Sequence, residues 1–130
     1  MGLQDRGEKG RRRFFRSFLF ASRGLFHVFR YEQNMRLHFL AALCTIGMGF
    51  IFGIPLVHWL VLILVIGGML AFETINTAIE RAIDYISEEY HPLAGLVKDI
   101  AAGAVFIFSI TAFIIGVLIF YHPVSELFMK

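Results

Sequence analysis

Residues 73–84 read ETINTAIERAID and place several charged and amide side chains directly after a long uncharged run. On a helical projection that takes Glu73 as zero, Asn76 falls at about −60°, Glu80 at about −20° and Asp84 at about +20°. These side chains therefore share one narrow helix face, where they could serve as interhelical hydrogen-bond donors and acceptors. Stacked carboxylates repel one another, however, and burying them is costly unless a cation compensates. The spacing favours a site for a divalent cation, for a general base, or for both.

The donor atoms on this face are carboxylate and amide oxygens, which favour a hard cation. Neither cysteine nor paired histidine occurs there at metal-ligand spacing, so Mg²⁺ is expected rather than Zn²⁺. Mg²⁺ held by few carboxylates usually keeps water ligands and shares a substrate phosphate, which points to nucleotide chemistry. Glu32, at the entry to the first apolar helix, is expected at a similar depth and is a further candidate ligand.

A second charged pair, Lys98 and Asp99, lies at the start of the last apolar helix. A lone lysine at this depth can simply extend its ammonium group to the membrane surface. Beside a carboxylate face it can instead bind a transferring phosphoryl group as a point charge. The sequence contains no GxxxxGK[ST] loop, no GxGxxG after a strand and no HRD or DFG set, so any chemistry with ATP needs a site of another kind.

The elements that carry these residues are those of an all-α membrane protein. Of the 130 residues, 58% are apolar and 17% are charged, and a soluble domain of this size cannot hide so much apolar surface. Residues 37–72 and 100–125 contain no Asp, Glu, Lys or Arg. A bilayer core about 30 Å thick needs about 20 apolar residues per helix, and residues 53–55 (GIP) interrupt the first run. Three transmembrane helices are predicted, over about 36–54, 57–86 and 94–121.

The segment before these helices has a different character. Residues 13–30 alternate phenylalanine and arginine with helical spacing, which predicts an amphipathic helix in the membrane interface. This helix is either a plain anchor or one whose arginines also touch a phosphate-bearing ligand. Residues 1–12 are predicted to be a disordered tail, 13–125 one membrane domain and 126–130 a short tail. Nine of the twelve Lys and Arg residues precede residue 37, so the N-terminus is expected in the cytoplasm.

Three segments resemble a bacterial family of small integral-membrane lipid kinases, the prokaryotic diacylglycerol kinases and undecaprenol kinases. They are SRGLFHVFRYEQNMRLH (22–38), ETINTAIERAIDYISEEYH (73–91) and LAGLVKDIAAGAV (93–105). The resemblance implies ATP- and Mg²⁺-dependent phosphorylation of a lipid alcohol at the cytoplasmic face of the bacterial inner membrane. It also implies a homotrimeric bundle whose active sites are shared between subunits, with no nucleic-acid partner.

Residue roles follow from the same resemblance. Each candidate matches a position of the family's motifs: Glu73 as general base, Glu32 and Glu80 as Mg²⁺ ligands, Asn76 as the amide that orients the site, Lys98 as a phosphate contact, Asp99 and Arg13 as nucleotide contacts, and Asp84 without an assigned role. The NMRLH run after Glu32 resembles the undecaprenol branch more closely, so undecaprenol is the expected acceptor and diacylglycerol the alternative. A remote alternative of another class is a non-catalytic membrane oligomer whose carboxylates line a cation path.

Overall fold

The computed structural model describes residues 10–86 and 91–129, and this part of the chain is helical, without a strand. The helices are α1 (Arg11–Tyr31), α2 (Gln33–Phe52), α3 (Leu56–Ile86) and α4 (Pro92–Phe128). Helices α2, α3 and α4 are each long and apolar enough to cross a membrane. The prediction of an all-α protein with three such helices is therefore confirmed. Most of the tail predicted to be disordered, residues 1–9, lies outside the described residues.

The connections between the helices follow local sequence signals. Helix α2 ends at Gly53, which has a φ of 60° and a ψ of 43°, a left-handed conformation that glycine adopts without a steric penalty. Helix α4 starts with Pro92 in its first turn, where the missing N–H is no loss. The side chain of His91 caps this helix by accepting a hydrogen bond from the backbone N–H of Leu93 over 3.3 Å. The interruption predicted at residues 53–55 is thus observed.

Two helices extend further than the sequence suggested. Helix α1 already begins at Arg11, inside the segment assigned to the tail, and α4 runs to Phe128 instead of ending near residue 121. Pro123 lies within α4 without ending it. His122 and Glu126, on either side of this proline, form an i,i+4 pair at 3.4 Å. A helix of 37 residues is about 55 Å long, so α4 extends beyond a 30 Å hydrocarbon core.

Helix α3 is the central element of the bundle, because it packs extensively against α4 and also contacts α2 and α1. Gly68 allows the closest approach to α4, since a Cβ atom there would lie 2.5 Å from the ring of Phe108. At one end of the bundle, Ile54, Leu62, Ile119 and Phe120 form an apolar core. Many large apolar side chains elsewhere are exposed, which is typical of a helix bundle that faces lipid or other chains.

Candidate functional site

The polar face of α3 lies at the end of the bundle opposite this apolar core. Glu73, Asn76 and Thr77 are the buried polar residues of the described chain, with exposed fractions of 2%, 6% and 3%. One turn further on, Glu80 is half-buried, and its Oε1 accepts a hydrogen bond of 2.9 Å from Nδ2 of Asn76. Asp84, another turn on, is exposed. The face that the helical projection identified therefore runs from the interior of the bundle to its surface.

Two oxygen atoms on this face lack a hydrogen-bond partner among the described residues. They are Oε2 of Glu73 and Oδ1 of Asn76, and both are buried. A buried polar atom without a partner costs about 1–3 kcal/mol, and native proteins keep few of them. Each one calls for an explanation in a ligand, a water molecule, an ion or another chain. The face thus has unused hydrogen-bonding capacity where a polar ligand can bind.

The negative charges of the site lie close together. Glu73 and Glu80 lie two turns apart on the same face of α3, and Glu32, from a different part of the chain, contacts Arg81 at the flank of this face. The donor set is composed of oxygens and fits a hard cation such as Mg²⁺. Within residues 10–86 and 91–129, however, no three His, Cys, Asp or Glu side chains converge in a metal-binding arrangement. Individual carboxylates of this set can serve as ligands of such a cation, with water or phosphate oxygens as further ligands.

Glu32 reaches the site from the junction between α1 and α2. It is the single non-helical residue between them, with a φ of −99° and a ψ of 123°. Its backbone N–H donates to the carbonyl of Val28 over 2.8 Å, while its side chain does not cap α2. The carboxylate instead accepts a hydrogen bond of 2.7 Å from Nη2 of Arg81 on α3. The expectation that Glu32 lies at the depth of the α3 face agrees with this contact.

Arg81 was assigned no role from the sequence. Its position directly after Glu80, within an acidic stretch, is the signal that sequence reasoning passed over. A basic residue at the flank of a carboxylate face can neutralise a carboxylate from another part of the chain, as Arg81 does for Glu32.

Lys98 belongs to the same end of the bundle. Its ammonium group forms an ion pair with Asp84 and so links the start of α4 to the exposed end of the α3 face. Asp99, the next residue on α4, is exposed. The structure thus brings Lys98 to the exposed end of the α3 face, and its contact with a ligand stays a prediction.

Arg13 forms no ion pair with the site carboxylates among the described residues, and it lies far from them along α1. It is exposed near the start of α1. At 1.5 Å per residue, roughly 27 Å of helix separate it from Tyr31, which directly precedes Glu32.

A largely apolar cavity of about 510 Å³ lies between the apolar core and the polar face. Helix α3 contributes Leu62, Ile66 and Met69 to its lining, and Met69 lies one turn before Glu73 on the same side of the helix. Helices α2 and α4 complete the lining, with Ser109 among its few polar residues. Sequence reasoning did not detect this cavity, since it exists only where three helices meet. An apolar chain can enter it while a polar head remains near Glu73.

Comparisons with known proteins identify the family. Residues 19–120 match the family described as prokaryotic diacylglycerol kinase. The undecaprenol kinase of Bacillus subtilis (strain 168) is 44% identical over 108 residues, which cover 83% of this chain and 88% of that protein. A diacylglycerol kinase of Synechocystis is 31% identical over 112 residues, 85% of this chain and 64% of that protein. One from Helicobacter pylori (strain J99) is 34% identical over 96 residues, 74% of this chain and 75% of that protein. The matched family segment includes all the candidate residues except Arg13.

Proposed function

The chain belongs to the prokaryotic diacylglycerol kinase family, and on that basis we propose that it is a membrane lipid kinase that transfers the γ-phosphoryl group of ATP to undecaprenol. The observation that carries this proposal is the buried Glu73 carboxylate, which has an oxygen without a partner among the described residues and lies one helical turn beyond Met69, which lines an apolar cavity. Phosphorylation of a lipid alcohol requires an apolar cavity for the lipid chain and a charged surface nearby for the phosphoryl donor.

Glu73 is the proposed general base. Its Oε2 accepts the proton of the lipid hydroxyl as the hydroxyl oxygen attacks the γ-phosphorus, and the bond from this phosphorus to the bridging oxygen of ADP breaks. Phosphoryl transfer depends mainly on positioning and on charge neutralisation, so the base need only engage the hydroxyl during the attack. Burial keeps bulk water away from this carboxylate. Its unpartnered oxygen can therefore accept a hydrogen bond from the lipid hydroxyl.

Glu80 and Glu32 are the proposed ligands of Mg²⁺. The metal ion, when bound, neutralises charge on the nucleotide phosphates. The Asn76 amide holds Oε1 of Glu80, which leaves the other carboxylate oxygen available to the metal ion. Asn76 therefore orients a ligand and presents its own free Oδ1 to the site.

Lys98, Asp99 and Arg13 are the proposed nucleotide-side contacts. Lys98 exchanges its ion pair with Asp84 for the transferring phosphoryl group, where its ammonium acts as a point charge. Arg13 lies far along α1 from the carboxylates of its own chain, so an adjacent subunit supplies this contact in the proposed homotrimer. The chemistry takes place on the cytoplasmic side of the inner membrane, with α1 in the membrane interface and the N-terminus in the cytoplasm.

The acceptor assignment depends on the relatives. The protein that shares 44% identity over most of its length is an undecaprenol kinase, which favours undecaprenol. Diacylglycerol is the second candidate, because other relatives at 31% and 34% identity are diacylglycerol kinases.

Phosphate transfer to the two lipids in the same vesicles tests this order. We expect purified protein with γ-labelled ATP and Mg²⁺ to label undecaprenol faster than diacylglycerol at equal mole fractions. Protein carrying Glu73→Gln serves as the blank for each acceptor. A clear preference for diacylglycerol would reverse the order, and labelling of neither lipid would refute the proposed activity.

A further inference from the structure

The contact between Arg81 and Glu32 joins two parts of the chain that are far apart in sequence. Nη2 of Arg81 lies 2.7 Å from Oε1 of Glu32, and the two residues are 49 positions apart. Arg81 lies on the flank of the α3 face, about 80° from Glu73 on the helical projection. The contact therefore ties the junction of α1 and α2 to the edge of the carboxylate face.

The negative charge of the neighbouring carboxylates explains why a basic residue occupies position 81. Glu73 and Glu80 share one face of α3, and Glu32 is held at the flank of that face by Arg81, so carboxylates from two parts of the chain lie at one end of the bundle. Glu80 receives a hydrogen bond from the neutral amide of Asn76, which adds no positive charge. Glu32 receives its hydrogen bond from a guanidinium, which supplies a full positive charge.

The ion pair is also accessible. The side chain of Arg81 is 58% exposed and that of Glu32 is 22% exposed. An ion pair with this exposure is weak, because water screens it and two side chains must be ordered to form it. A divalent cation can therefore displace it, with or without a nucleotide.

We propose that Arg81 is a counter-cation that occupies the Glu32 carboxylate in the unloaded protein and competes with the divalent cation for it. This inference rests on the proposed function, in which Glu32 is a metal ligand. Arg81 acts through Glu32 and is a positioning residue: it keeps the carboxylate against α3 until the cation replaces the guanidinium. The exchange leaves Glu32 in place, since its backbone is fixed between two helices by the hydrogen bond to Val28.

The proposal specifies the sign of an effect on metal affinity. Removing the charge of Arg81 removes a competitor, while the backbone anchor of Glu32 remains. We therefore expect Arg81→Gln to bind a divalent cation more tightly than the wild-type protein does. The expected gain is about two- to fivefold, the scale of an exposed ion pair. A residue that merely stabilised the site would produce the opposite sign.

Mn²⁺ alone is the probe for this test. The full-length protein in phosphatidylcholine nanodiscs, without nucleotide, is titrated with Mn²⁺, and the EPR signal of free Mn²⁺ gives the affinity. Arg81→Gln is expected to tighten binding, and Arg81→Lys, which keeps the charge, is expected to stay within twofold of wild type. Arg36→Gln is the matched control, because it removes the same charge from an exposed residue near the start of α2. It is expected to leave the affinity unchanged.

Each outcome decides the proposal. Unchanged or weaker Mn²⁺ binding by Arg81→Gln would overturn it, as would an equal gain in Arg36→Gln, which would reveal a general charge effect. Absence of Mn²⁺ binding by every variant would also overturn it, because direct exchange requires binding without nucleotide. The Mg²⁺ requirement of Glu32→Gln in phosphate transfer separates this failure from a failure of the proposed function. If Glu32→Gln needs more Mg²⁺, Glu32 is a metal ligand whatever Arg81 does.

Discussion

Helices α3 and α4 come together at both ends of the bundle, and the two ends are built from opposite kinds of side chain. At one end, Leu62 of α3 packs against Ile119 and Phe120 of α4 in an apolar core. At the other end, the same two helices are joined by the ion pair of Asp84 and Lys98. The first contact is made by apolar side chains, which need no hydrogen-bond partner. The second is an ion pair, which a charged ligand can displace.

The change from one kind of region to the other takes place on a single face of α3. Met69 lines the apolar cavity, and Glu73, four residues later on the same side, has a buried oxygen without a partner. Apolar side chains stabilise a bundle through close packing. Buried unsatisfied oxygens destabilise it, and such a cost is characteristic of functional sites. The packing contacts and the proposed catalytic groups therefore lie at different ends of the same helices.

The largest loss of turnover is expected from Glu73→Gln at the polar end. The amide keeps the size of the side chain but cannot accept the hydroxyl proton, so kcat should fall by about 10²- to 10⁴-fold. MgATP binding, followed with a fluorescent nucleotide, should change little. Near-normal turnover would show that Glu73 is not the base.

A smaller loss is expected from Lys98→Met, which removes the ammonium group but keeps an unbranched chain. Loss of one preorganised charge at the transferring group should slow turnover about a hundredfold. Size-exclusion chromatography in detergent should show an unchanged oligomer. Disassembly of the oligomer would mean that the ion pair with Asp84 serves structure rather than catalysis.

Glu80→Gln is expected to affect metal dependence more than the chemical step. The glutamine can still accept the hydrogen bond from Asn76, while one negative charge is lost. The Mg²⁺ concentration needed for half-maximal activity should rise about tenfold, with turnover largely restored at saturation. An unchanged Mg²⁺ titration would remove Glu80 from the proposed metal ligands.

The smallest effect on turnover is expected from Ile119→Ala in the apolar core. Truncation leaves a cavity and should lower the free energy of unfolding by about 2 kcal/mol. Unfolding in detergent measures this change, and kcat per folded protein should remain within twofold of wild type. A large loss of kcat at unchanged stability would show that the apolar core also contributes to turnover.

Much of this arrangement follows from sequence periodicity. The uncharged runs locate the apolar helices because a bilayer tolerates few charges, and the projection of Glu73, Asn76 and Glu80 onto one face follows from 3.6 residues per turn. The end of α2 at Gly53 follows from a residue that adopts positive φ freely. These features depend on local chain geometry and are therefore readable from sequence.

Other features depend on how distant segments meet. The contact of Arg81 with Glu32 requires the non-helical conformation of one junction residue, which periodicity does not specify. The cavity beside Met69 exists only where three helices converge. Helix α4 continues past Pro123 to Phe128, although a proline usually ends or kinks a helix. Sequence spacing also cannot assign Arg13 to the site of its own chain or to that of an adjacent subunit.

One measurement tests the separation of chemistry from stability most directly. Wild-type protein, Glu73→Gln and Ile119→Ala are compared at equal amounts of folded protein for transfer of label from γ-labelled ATP to undecaprenol in vesicles with Mg²⁺. We expect labelled undecaprenyl phosphate from the wild type and from Ile119→Ala, and almost none from Glu73→Gln despite its binding of MgATP. Label transfer by Glu73→Gln at a rate near wild type would contradict the assignment of the chemistry to the polar face of α3.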